Sequence, residues 1–172
     1  ISIEAGQHTI YGYASSADKY VNKYYKETDK SLVGFDVPQV QHPTLTSFDS
    51  DADLLIAKAQ TVEIRDGQSE LNIENVQFSR ALAVLQVILK DKSSKDVKGN
   101  AVVKSISLTP LNVNDEPLTG RAKIDVANGG VISGFTTYNG VTAEYADDSF
   151  VINDENSAWF VVNPLTFGES ST

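Results

Sequence analysis

The feature that most constrains this chain is a hydrophobic period of two. Val33, Phe35 and Val37 alternate, as do Val62 with Ile64 and Leu71 with Ile73. Ala122, Ile124 and Val126 interleave with Lys123 and Asp125, and Val141, Ala143 and Tyr145 with Thr142 and Glu144. Successive side chains of a strand point to opposite faces, so each run is a strand with one face buried. Turn signals punctuate the runs: Asp66-Gly67, Lys98-Gly99-Asn100, Asn128-Gly129-Gly130, Asn139-Gly140 and Asp147-Asp148. Many short strands so punctuated specify an all-β antiparallel sandwich or barrel.

Three segments depart from the plain alternation. The apolar phase is odd at Leu71 and Ile73 but even at Val76 and Phe78, which predicts a β-bulge or tight break between Glu74 and Asn75. Residues 79–90 form the most hydrophobic stretch. Its odd face (Ala81, Ala83, Leu85, Val87, Leu89) is wholly apolar, and Arg80, Gln86 and Lys90 share the even face. A helical stripe of Phe78, Leu82, Leu85 and Leu89 also fits, but the β-branched Val84, Val87 and Ile88 favour a central strand. Residues 15–28 predict a short helical insertion: Ser15 or Ser16 caps, Asp18 suits the first turn, and Tyr20, Val21, Tyr24 and Tyr25 share a side. Those tyrosines either pack on the sandwich or form a patch for a partner or glycan, so Tyr20, Tyr24 and Tyr25 are the candidate surface residues.

A chain of 172 residues supports one domain with a real core, assigned here to 1–167, with the polar Gly168–Thr172 as a tail or linker to a missing second domain. The absence of Met in a chain opening Ile1-Ser2-Ile3 reads as a processed piece, its signal and anchor lying outside it. No run approaches the ~18 apolar residues of a membrane-spanning helix. With 14 Lys+Arg against 23 Asp+Glu, the net charge of −9 argues against nucleic acid as a partner. Zero Cys removes disulfides, thiolate metal sites and cysteine nucleophiles.

The chemistry-bearing patterns are thin. Asp49-Ser50-Asp51-Ala52-Asp53 imitates the start of a calcium loop, but the places for Gly and Glu hold Leu54 and Gln60, so a solvated turn is favoured. Asn153-Asp154-Glu155-Asn156 reads as a polar loop. His8 and His42 are the only histidines, and no G-x-S-x-G elbow, H-E-x-x-H motif or phosphate loop accompanies them. The expectation is a protein that is not an enzyme and carries no cofactor and no metal. Trp159 falls in a strand apolar on both faces and reads as core, although an exposed indole would offer a sugar-stacking platform.

Several segments together resemble one family. Phe78-Ser79-Arg80-Ala81-Leu82-Ala83-Val84-Leu85-Gln86-Val87 is similar to the F-x-[HR]-A-L-A-x-V-x-V strand of fimbrillins, pilus subunits of Bacteroidales-type bacteria. Val103-Lys104-Ser105-Ile106-Ser107-Leu108 with Leu118-Thr119-Gly120-Arg121-Ala122 resembles that family's V-x-S-I-x-L … L-x-G stretch. Asp53-Leu54-Leu55-Ile56-Ala57 resembles its upstream strand, and Ala158-Trp159-Phe160-Val161-Val162-Asn163-Pro164 the closing strand of its N-terminal domain. The likeness covers roughly residues 48–167.

The resemblance implies a transthyretin-like, Greek-key β-sandwich, export as an outer-membrane lipoprotein, and a place in a fimbrium at the cell surface. Partners would be other fimbrial subunits, joined by strand addition, and a host or bacterial surface receptor. Family activation commonly cuts after an Arg in the N-terminal segment. Here the first is Arg65, so either the cut lies upstream of Ile1 or this chain is not activated that way. A carbohydrate-binding surface module is the alternative reading of the same sandwich.

Overall fold

A computed structural model gives the structure of the chain. It describes residues 4–22, 31–68, 70–90, 102–111, 117–138, 140–146, 150–152 and 156–164, with backbone alone at 18, 22 and 130–138. In chain order the strands are β1 (Gly6–Ala14), β2 (Val21–Asn22), β3 (Leu32–Val37), β4 (Val40–Gln41), β5 (Leu55–Ile64), β6 (Phe78–Arg80) and β7 (Ala83–Ile88). They continue as β8 (Val102–Val103), β9 (Ser105–Leu108), β10 (Thr119–Asp125), β11 (Gly130–Tyr138), β12 (Val141–Glu144), β13 (Phe150–Val151) and β14 (Ser157–Val162). Two 3₁₀ turns, Asp18–Tyr20 and Ser50–Ala52, are the helical elements among the described residues. None is long and apolar enough to cross a membrane.

The fold is all-β and sandwich-like. One sheet runs β1-β5-β6 and another β11-β10-β3-β2, while β4-β12-β9, β13-β8 and β14-β7 form smaller groups. All pairings are antiparallel except β4 with β12. The alternation builds this directly. Val33, Phe35 and Val37 of β3 meet Ala122, Ile124 and Val126 from β10 and the turn after it in one core, with Leu54, Ile56 and Val161. On the opposite face of the same strand pair, Arg121 bonds Asp36 from the facing register position at 2.8 and 3.3 Å. Val141, Ala143 and Tyr145 meet Phe150, Ala158, Phe160 and Val162 in a second core.

The turns behave as their residues dictate. Gly67 and Gly129 sit at φ +74° and +75°, where a Cβ would be strained. Asp125 organises the β10–β11 turn, its Oδ1 accepting the backbone N–H of Ala127 at 2.9 Å and of Asn128 at 3.0 Å. The break foreseen at Glu74–Asn75 is present: Asn75 is left-handed, at φ +56°. Asparagine is among the residues that tolerate this region. Leu71 and Ile73 before the break are half-buried and form no strand, and regular pairing resumes at Phe78.

Two expectations change. Within 15–28 the described residues hold a single 3₁₀ turn, after which Val21–Asn22 is extended and pairs with Phe35 and Gly34. A β3 edge with open main-chain groups recruits the β-branched Val21, and that pairing outweighs a helix with few internal contacts. The apolar run 79–90 is extended but is not one central strand. β6 pairs with β5, the Ala81 N–H closes on the Leu54 carbonyl at 2.8 Å, and β7 then pairs with β14. Ala81 and Leu82 are buried at this handover, so the run links the two cores.

Candidate functional site

An open groove of about 550 Å³ lies between β5, β6 and the turn after β10. Ile56, Ala57 and Phe78 line it on one side and Val126 on the other, with Lys58 its single charged lining residue. Register places it. Ala57 faces Phe78 across β5–β6, and the Lys58 N–H reaches the Gln77 carbonyl at 2.8 Å, so the pairing carries on past the end of β6. The opposite wall is the Asx turn built on Asp125. The Asn128 amide donates to Asp125 Oδ2 at 2.7 Å, and this bond, helped by the backbone bonds, holds that carboxyl below its ordinary range.

Of the lining residues Phe78 is 51% exposed, and Val76, two positions before it in the chain, is 43% exposed. Within the described residues β6 has a partner strand on one side only. An apolar, one-sided strand end beside a groove is a surface that sheet proteins normally blunt or cover. Next to it, Arg80 donates to Asp53 Oδ2 at 2.8 Å, its guanidinium lying 4.7 Å from the Phe48 ring centre. Asp53 is buried and its Oδ1 has no hydrogen-bond partner.

The tyrosine patch fares differently. Tyr20 packs edge-on against Phe35, with ring centres 6.3 Å apart at 70°, and Lys19 covers its ring at 4.7 Å. It is therefore a half-buried member of the first core. Tyr24 and Tyr25 lie outside the described residues, as does the tail 168–172. Tyr11 also packs on the first core, leaving Tyr13, at 40%, as an exposed ring on β1. Trp159 is half-buried, with its Nε1 shielded and unpartnered.

The acidic stretch is a capping turn. Asp49 accepts the Asp51 N–H at 3.0 Å and the His42 N–H at 2.8 Å, and Asp51 accepts Ser16 Oγ at 3.1 Å. Asp53 serves Arg80, so each of the three carboxylates is engaged by different protein groups. Among the described residues no three His, Asp or Glu side chains are grouped to hold a metal ion. His8 Nε2 lies 2.8 Å from the Glu4 carbonyl, and the His42 contact is through its backbone.

In the sequence Phe78 stands in a strand pattern and in a helical stripe, and neither marks it as a surface residue. Its signal was the same phase slip that marked Asn75, since a strand restarting out of phase can turn an apolar side chain outward. Gln41 was missed altogether: the odd position between it and Val37, Gln39, is exposed, so the alternation of β3 does not reach it. Against known proteins, no family model, no curated protein and no solved structure matches this chain.

Proposed function

We propose that this chain is a cell-surface fimbrial subunit or adhesin domain, with a transthyretin-like Greek-key sandwich, that assembles by strand exchange. The observation that carries the reading is the one-sided β6 end beside the groove, with the groove-lining Phe78 exposed. An extended segment added there gains main-chain hydrogen bonds from the strand edge and side-chain burial from the groove. The ordered fimbrillin-like segments support the same reading. Neighbouring subunits are the implied partners, and the exported protein would sit at the outer membrane or in the fimbrium.

The test uses the complete mature protein. Electron microscopy and light scattering follow its assembly, and immunogold labelling of intact cells locates it. Assembly that Phe78→Asp abolishes, with the circular dichroism spectrum unchanged, supports the proposal. Unaltered assembly by that variant, failure of the native protein to assemble, or its recovery from the cytoplasm refutes it. The carbohydrate-binding alternative needs a row of exposed rings, and Tyr11 and Tyr20 are taken up by the core. Glycan-panel binding by a Tyr13→Ala-sensitive surface would revive it.

A further inference from the structure

The groove wall after β10 ends in Asn128-Gly129, a pair with a chemistry of its own. Asparagine followed by glycine can close on itself. The Gly129 nitrogen bonds to Asn128 Cγ, the Cγ–Nδ2 bond breaks, and ammonia leaves with the proton from that nitrogen. Water then opens the cyclic imide to aspartate or, through its other carbonyl, to isoaspartate. Asparagine is among the heat-labile residues, and a following glycine has no side chain to hinder the attacking nitrogen. Both residues are exposed, and a Cβ at Gly129 would meet nothing within 4 Å, so water and space are at hand.

The turn holds both reacting groups away from that course. The Gly129 N–H, whose proton has to leave, donates to the Asp125 carbonyl at 2.9 Å. Asn128 Nδ2, the leaving group, donates to Asp125 Oδ2 at 2.7 Å. The Ala127 and Asn128 N–H groups reach Asp125 Oδ1 at 2.9 and 3.0 Å, so four donors converge on one residue. The hydrolysis product does not fit this arrangement. A carboxylate at position 128 has no hydrogen to give Asp125 Oδ2, and it sets a second negative charge against the first.

We propose that Asn128 is a deamidation site held closed by Asp125, and that its conversion is a one-way switch that opens this wall of the groove. The modification is hydrolysis of a side-chain amide, with water as the co-reactant. The inference is independent of the fimbrial reading, since it needs only the turn. Its consequence falls on the groove, because Val126, Ala127, Asn128 and Gly129 line it.

The test incubates the full chain at neutral pH beside Asp125→Ala. Fragment-ion mass spectrometry follows amide and acid forms at residue 128 separately from residue 139, the asparagine of the other Asn-Gly pair. Folded Asp125→Ala should convert residue 128 about ten-fold faster, the rate equivalent of a lost hydrogen bond. In denaturing urea the two chains should convert at one rate. Equal rates in the folded state overturn the proposal. A ratio that persists in urea does so too, because it assigns the effect to residue 125 itself and not to the turn. Asp125→Asn keeps the question answerable where the Ala variant does not fold. It retains one side-chain oxygen but turns an N–H toward Asn128 Nδ2, so it should also convert faster than the native chain, and a native rate overturns the proposal.

Asn128→Asp reads the switch directly. Amide exchange at Ala127 and at residue 128 should rise about ten-fold as the turn opens. The Lys58 N–H, bonded to the Gln77 carbonyl on the other wall, should exchange as before. Exchange unchanged at Ala127, or raised equally at Lys58, overturns the switch.

Discussion

Whether Tyr20 is part of the core or part of a partner surface has a direct thermodynamic answer. Its ring meets the fully buried Phe35 edge-on at 6.3 Å, and Val21 beside it pairs with Phe35 in register. Removing a half-buried ring forfeits part of the ~1.5–3 kcal/mol of a fully buried one, so Tyr20→Ala should cost about 1–2 kcal/mol. For a domain of this size that lowers the melting temperature by about 2–8 °C. The specific contact is isolated by a double-mutant cycle of Tyr20→Leu and Phe35→Leu, which keeps apolar bulk and removes the ring geometry. Urea denaturation of the four proteins should return a coupling of about 0.5–1.5 kcal/mol. A coupling below about 0.3 kcal/mol, within the additivity of independent sites, would refute the packing argument. It would do so decisively if Tyr20→Ala left stability untouched but abolished binding to a partner.

Three further outcomes follow from the geometry. Gly140→Ala would bring a Cβ to 2.8 Å from the Leu108 carbonyl, a backbone atom with little room to move, so the β9–β12 pairing should lose about 1–3 kcal/mol by chemical denaturation. Arg80→Ala would strip Asp53, whose side chain is 11% exposed, of its one bonded partner. The cost should be about 1–3 kcal/mol, below that of a fully buried pair because Arg80 is itself partly solvated, and Arg80→Lys should recover only part as the guanidinium contact with the Phe48 ring is lost. Asp125 has a folded pKa below its unfolded value, so its contribution is present above about pH 4 and is lost as pH falls through the lowered folded value. Asn128→Ala removes the largest cause of that shift, and its destabilisation should therefore be clear at neutral pH and fade in acid; an equal loss at pH 7 and pH 2.5 would contradict the assignment.

The local properties of this chain were legible in its residues. Alternation is a property of neighbours along one strand, so Val33-x-Phe35-x-Val37, Ala122-x-Ile124-x-Val126 and Val141-x-Ala143-x-Tyr145 announced both the all-β class and the side facing inward. The phase slip announced Asn75 for the same reason. What a strand pairs with is not a local property, because it depends on which other edges arrive beside it. Residues 15–28 carried a helical pattern, yet the open edge of β3 drew Val21–Asn22 into the sheet and pressed Tyr20 onto Phe35. The apolar run 79–90 read as one strand, and only the closure of Ala81 on Leu54 divided it between two partners. Gln41 makes the distinction sharpest. No alternation marked it as buried, and only the arrival of β14, 120 residues later in the chain, turned its amide into a partner for a strand.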